Sequence, residues 1–146
     1  FVIQLMTRYV IIRSSWIYGI GKDFLNEVLE AAADPKVSTM ELWNNDRAVP
    51  TSAAELARVV KFFIDNDHYG IYHAVCSGGS CTRLEFAKEI LRLAGKEDRL
   101  TVKVKDGTPE KYSVLDNMML RLTGIEEPSG WRETLASYMK ETGGLE

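Results

Sequence analysis

Cysteine is scarce in this chain: Cys76 and Cys81, both within CSGGSC, are the two it has. Two thiols are too few for a disulfide framework and lack the second pair of ligands that a zinc site needs. Reduced thiols in a cytosolic protein are the reading they support. No apolar run approaches the roughly 18 residues of a membrane span, and no secretory leader is visible ahead of the first apolar strand, so the expected compartment is the cytoplasm. An excess of either charge is missing too. With 18 basic residues against 21 acidic ones and no basic block, the formal charge of -3 gives no electrostatic case for nucleic acid or an anionic membrane as partner. Anionic small molecules are not excluded, since a local arginine binds what the net charge repels.

Several catalytic signatures are absent as well. The chain has no glycine-rich phosphate loop of the G-x-G-x-x-G or P-loop kind. It has no Tyr-x-x-x-Lys pair, no Gly-x-Ser-x-Gly elbow, and no His and carboxylate cluster at metal-binding spacing. No motif here proves catalysis by itself, and neither a catalytic residue nor a metal site is expected within these residues.

What remains is an ordinary globular composition, 45% hydrophobic and 27% charged over 146 residues, enough for one compact domain. Tyr9 to Arg13 reads as a short buried strand. A helix is expected from about Lys22 to Ala33, with Phe24, Leu25, Val28, Leu29 and Ala32 on one face and Asp34-Pro35 to stop it. Glu41 to Trp43 is a short strand at best, and NNDRAVPT, Asn44 to Thr51, has the makeup of a loop. Ser52 with Glu55 forms the pattern of a capping box ahead of a helix whose core stripe is Leu56, Val59, Val60, Phe63 and Ile64. GIYHAVC is a strand, CSGGS a glycine-permitted loop, and Thr82 with Glu85 a second capping box ahead of Phe86, Ile90, Leu91 and Ala94. LTVKV alternates as a half-buried or edge strand does, and two helices follow over 115–122 and 131–141. Strands alternating with helices make the chain α/β with some parallel strands.

One stretch bears directly on function. YVII is followed by RSSWIYGIGKDF, so an apolar strand ends in two serines and a tryptophan. The carboxyl ends of strands in open α/β sheets are where ligands bind. The order of pieces, YVIIRSSWIYG, GKDF, PTSAAELA, GIYH, EFAKEI, YSVLDN and WRETLASY, closely resembles the C-terminal part of the dTDP-4-dehydrorhamnose reductases, a family of extended short-chain dehydrogenase/reductases. The similarity runs along essentially the whole chain, and RSSW and PTSAAELA carry most of its weight.

That resemblance implies a fold: the C-terminal portion of a Rossmann-like enzyme, a nucleotide-sugar-binding domain with the last strands of the cofactor domain. The chain begins at Phe1 inside FVIQLM and ends in Gly-Gly-Leu-Glu, and the expectation is an excised piece of a longer protein. The family's catalytic tyrosine and lysine would lie just upstream of Phe1. The implied reaction is hydride transfer from NADPH, or NADH, to the C4 carbonyl of dTDP-6-deoxy-L-lyxo-4-hexulose, giving dTDP-L-rhamnose. No cofactor is expected on the fragment alone; the family's Mg²⁺ association and homodimerisation are left open.

If the family arrangement holds, Trp16 lays its indole against the sugar, a contact suited to a flat apolar face. Ser14 and Ser15 then lie on the nicotinamide side. The alternative is that Trp16 packs under its own loop. Arg13 is either a ligand for substrate or cofactor, or a strand-end arginine paired to a carboxylate. Arg47 pairs with a diphosphate through its planar fork, or is a solvated loop arginine. Asn45, Asp46 and Ala48 depart from the family's usual loop residues, which leaves a side-chain role for Asp46 open. Asp23, where the family usually has asparagine, reads as a helix-start charge favourable to the macrodipole. His73 and the methionines, including Met118 and Met119, read as packing, Trp131 as an anchor for the last helix, and Lys111 as a substitute for an arginine the family places near Ser113. Two other classes stay in view: a reductase-like regulatory subunit, since relatives of this fold partner methionine adenosyltransferase, and a sugar-nucleotide epimerase or dehydratase.

Overall fold

A computed structural model describes residues 1–43, 45–105 and 111–143. Asn44, residues 106–110 ahead of Lys111, and residues 144–146 at the end lie outside the described residues. The chain opens with α1 (Val2–Leu5), β1 (Val10–Arg13), β2 (Ile17–Tyr18) and α2 (Phe24–Ala33). Three short strands follow, β3 (Thr39–Trp43), β4 (Asp46–Ala48) and β5 (Thr51–Ser52), then α3 (Ala53–Asp65), β6 (Gly70–His73) and β7 (Cys81–Thr82). The rest is α4 (Arg83–Leu93), β8 (Thr101–Lys105), β9 (Lys111–Tyr112), α5 (Met118–Leu122) and α6 (Trp131–Glu141).

Pairing is mostly parallel, as the alternation of strands and helices requires. β1 runs beside β6 with Val10 opposite Gly70 and Arg13 opposite His73. β2 pairs with β5, β3 with β8, and β4 with β9, all in parallel. β4 also pairs with β7, and this pair is antiparallel, with Arg47 opposite Thr82 and Ala48 opposite Cys81. The α/β expectation therefore holds. The polar stretch over 45–51 is more ordered than a loop, because β4 and β5 find partners from β7, β9 and β2 that composition does not reveal.

Two apolar clusters hold these elements. The larger joins Tyr18, Leu25 and Val28 to Phe86 and Ile90 of α4 and to Trp131, Leu135 and Met139 of α6. The smaller packs Val59 and Phe63 of α3 on Tyr72, Leu120 and Ile125. Trp131 is the expected anchor: its ring meets Phe86 edge-on at 5.8 Å, and its backbone N–H donates to Ser77 O, tying α6 to the loop after β6.

Local expectations need amending in four places. Val60 and Ile64 are exposed, so the core stripe of α3 is narrower than its spacing predicts. Met118 and Met119 are exposed rather than packed. The Thr82/Glu85 capping box forms in full, whereas Ser52 makes no side-chain cap. Glu55 is instead drawn away by the Ser129 N–H at 2.8 Å and the Arg58 guanidinium at 3.1 Å. Finally, Asp23 does more than complement the macrodipole. It caps α2 by accepting from Asn26 N–H at 2.9 Å and also accepts from Gly19 N–H at 2.7 Å.

Candidate functional site

The carboxyl ends of β1 and β6 lie side by side, and the segment leaving β1 meets the starts of β4 and α4 at the candidate site. The chain leaves β1 through Ser14 and Ser15, both half-buried, and reaches Trp16 with φ +32°, the single non-glycine residue with positive φ among the described residues. A bulky side chain in this region is strained, and such strain persists where surrounding contacts over-determine it. Those contacts are visible: Thr51 N–H donates to the Trp16 carbonyl at 3.1 Å, and the half-buried ring packs against the larger core.

Beyond Trp16 the turn is locked. Tyr18 is buried and its hydroxyl meets Thr134 Oγ1 at 2.9 Å; the Tyr138 hydroxyl donates to Gly19 O at 2.7 Å. Gly19 is needed for space, since a Cβ there would lie 2.9 Å from that of Ala53, while Gly21 is needed for its φ of +127°. The two glycines of the opening motif thus serve different ends.

Arg83 completes the arrangement, and the sequence reading passed it over. It is the first residue of α4, half-buried, with its guanidinium 3.9 Å from the centre of the Trp16 ring and 4.6 Å from that of Phe24. Burial pulls its pKa below the ordinary value, and nearby Asp46 is the strongest opposing influence. The register that places Arg47 opposite Thr82 leaves Asp46 and Arg83 next in line, yet among the described residues no ion pair joins them. Asp46 Oδ1 is buried without a hydrogen-bond partner, as is Ser14 Oγ. The signal for Arg83 was present in the sequence: a cation at the first helical position opposes the macrodipole and needs a local reason to be there.

Arg47 is exposed and already engaged, donating to Ser80 O at 3.3 Å and lying 3.5 Å from Glu85. Arg13 ends β1 exposed, opposite His73 in the ladder. His73 uses Nδ1 with the Asp116 carbonyl at 3.1 Å, and Asn117 spans the Val75 backbone with bonds of 3.0 and 2.7 Å. Beside that segment lies a cavity of about 320 Å³, lined among others by Cys76, Ser80, Leu115 and Asn117. A larger groove of about 590 Å³ lies between α4 and β8, but none of the buried unpartnered polar atoms lines it. Trp16, Ser14, Asp46 and Arg83 are therefore the candidate site, while Arg47 and Lys111, the latter opposite Asp46 in the β4–β9 pair, are exposed.

The sequence model of the family described as the RmlD substrate binding domain matches residues 1–143. The chain belongs to that family. It is 34% identical to the spore coat polysaccharide biosynthesis protein SpsK of Bacillus subtilis, over 95% of this chain and 50% of that protein. It is 31% identical to dTDP-4-dehydrorhamnose reductase of Streptomyces griseus, over 86% of this chain and 44% of that one. Its fold superposes on the crystal structure of dTDP-4-dehydrorhamnose reductase from Bacillus anthracis in complex with NADP, with a TM-score of 0.86 and 29% identity, covering 97% of this chain and 51% of the other. The chain thus spans about half the length of the curated relatives it matches. The parallel pairs β1–β6 and β2–β5 flank the segment that carries Ser14, Ser15 and Trp16.

No helix among the described residues is long and apolar enough to cross a membrane. Nor do the described residues hold a group of three or more His, Cys, Asp or Glu side chains that suits a metal ion.

Proposed function

We propose that this RmlD-family chain is the nucleotide-sugar-binding part of an NADPH-dependent reductase that converts dTDP-6-deoxy-L-lyxo-4-hexulose to dTDP-L-rhamnose. The observation that supports this reading best is the polar and aromatic cluster at the carboxyl ends of β1 and β6, in a chain similar to reductases of that name. NADPH supplies the hydride when bound. Ser14 suits its carboxamide edge, because a buried hydroxyl without a partner has both a donor and an acceptor to offer. Ser15 adjoins it. The diphosphate of the cofactor finds no glycine-rich cradle in this sequence.

The chain's own residues bind and orient. Trp16 stands half-buried just past the end of β1 as the aromatic contact for the sugar, and Arg13 ends that strand exposed as a donor for substrate oxygens. Arg47 reaches a diphosphate only by leaving Glu85 and Ser80. Positioning of this kind lowers the barrier of a complete enzyme by several kcal/mol, about 7 or more in the best-oriented cases. Without a Tyr-x-x-x-Lys pair the chain binds and does not turn over.

The test is a titration followed by tryptophan indole NMR, first with dTDP-L-rhamnose and then with NADPH, with Trp16→Ala assigning the peak. A saturable shift of the Trp16 signal with the sugar nucleotide, and no oxidation of NADPH on adding the 4-keto sugar, is the expected result. Hydride transfer by the chain itself, or no response to dTDP-L-rhamnose, overturns it.

A further inference from the structure

Asp46 and Arg83 form an unclosed pair. They are opposite charges, next in line across the β4–β7 ladder, and the Arg83 charge responds to Asp46, yet they are not joined by an ion pair among the described residues. Asp46 Oδ1 is buried and lacks a donor. The Arg83 guanidinium is half-buried, and its described contacts are the ring faces of Trp16 and Phe24, with no acceptor among the described residues. Leaving a buried polar or charged group without a partner is costly. Arg83 bears a further cost at the positive end of the α4 dipole.

One chemical group meets both needs. A diphosphate offers acceptors to Arg83 but no donor to Asp46, and it is repelled by that carboxylate. An ammonium group has the reverse defect. A hydroxyl accepts from the guanidinium and donates to the carboxylate at once. The adjoining Trp16 ring fits the same ligand class, since carbohydrates present C–H faces to indoles and hydroxyls to charged neighbours.

We infer that Asp46 and Arg83 together bind one hydroxyl of the sugar moiety, and so set specificity for the sugar rather than for the nucleotide. This rests on the nucleotide-sugar reading above. Oδ1 is shielded from water, so a hydroxyl reaches it only with some side-chain movement. Arg83 is held by ring stacking alone among the described residues, which leaves its guanidinium N–H groups available to donate to the seated hydroxyl.

The experiment compares dTDP with dTDP-L-rhamnose by titration calorimetry on the chain and on Asp46→Asn, Arg83→Gln and Arg83→Lys, with circular dichroism to check folding. The parent is expected to bind the sugar nucleotide about tenfold or more tightly than dTDP, the worth of one hydrogen bond to a charged group. Asp46→Asn and Arg83→Gln should reduce that ratio to about threefold or less while the dTDP affinity stays within about threefold, and Arg83→Lys should fall between them and the parent. An unchanged ratio in folded Asp46→Asn and Arg83→Gln, or equal binding of both ligands by the parent, overturns this assignment and leaves the nucleotide-sugar reading standing. Failure of the parent to bind either ligand removes the nucleotide-sugar reading itself, and the assignment with it, before any variant is compared.

Discussion

The Trp16–Arg83 stack can be tested without any ligand. A guanidinium 3.9 Å from the centre of an indole ring, in a half-buried setting, lies between the exposed case, about 0.5–1 kcal/mol, and the desolvated one, about 2 kcal/mol. A double-mutant cycle of Trp16→Ala, Arg83→Ala and the pair should therefore return a coupling of about 1–1.5 kcal/mol. Urea unfolding followed by circular dichroism suits the measurement. Trp16→Gly adds an independent reading of strain. At an ordinary extended position glycine is worse than alanine by about 0.5–1 kcal/mol, whereas at the φ of +32° found here that order should invert. A coupling below about 0.3 kcal/mol, the range of ordinary additivity, refutes the stack as an energetic contact. Alanine outscoring glycine refutes the left-handed backbone.

Two further outcomes follow from local structure. Thr82→Ala should cost about 1 kcal/mol and Ser52→Ala less than about 0.5, because only Thr82 accepts from its helix; equal losses in urea melts would show that both caps form. Burial pushes the Cys81 thiol up to about 12 and raises Cys76 as well, so neither should react with iodoacetamide at about pH 8.5 until urea unfolds the chain. The sign for stability follows, since a thiol whose folded pKa lies above its unfolded value favours the folded state at neutral pH. That contribution is lost as pH rises from about 9 toward 12, and a urea midpoint that climbs across that window contradicts it.

Helix positions, the α/β alternation and the strand that carries the motif were legible because they rest on local periodicity. Leu25, Val28 and Ala32 on α2, and Phe86, Ile90 and Leu91 on α4, are buried as their spacing requires. Strand pairing was not legible, because β4 and β5 are three and two residues long and depend on partners far along the chain. The two capping boxes make the same point in miniature. Ser52/Glu55 and Thr82/Glu85 share one pattern, and only the second forms, because Ser129, 74 residues away from Glu55, supplies a competing N–H. Nothing within the first helix announces that competitor.

The departures from local rules are not scattered. A tryptophan in the left-handed region, an arginine at the wrong end of a helix dipole and a carboxylate oxygen buried without a donor would each count against a stable fold. A sequence that specifies one structure has its local preferences agree with the whole, and real proteins break that agreement mainly at functional sites. Here the three conflicts meet around one pair of side chains, Trp16 and Arg83, at the end of a parallel strand pair. Of the other two buried orphans among the described residues, Ser14 Oγ lies just ahead of Trp16, and Trp131 Nε1 belongs to the packing of α6 against Phe86. Its burden is that of a large ring kept for its area, offset by the apolar contact the ring makes. Arg83 gains only the faces of Trp16 and Phe24, and Asp46 Oδ1 gains no donor among the described residues, so the polar half of this conflict is the part that a bound hydroxyl would relieve.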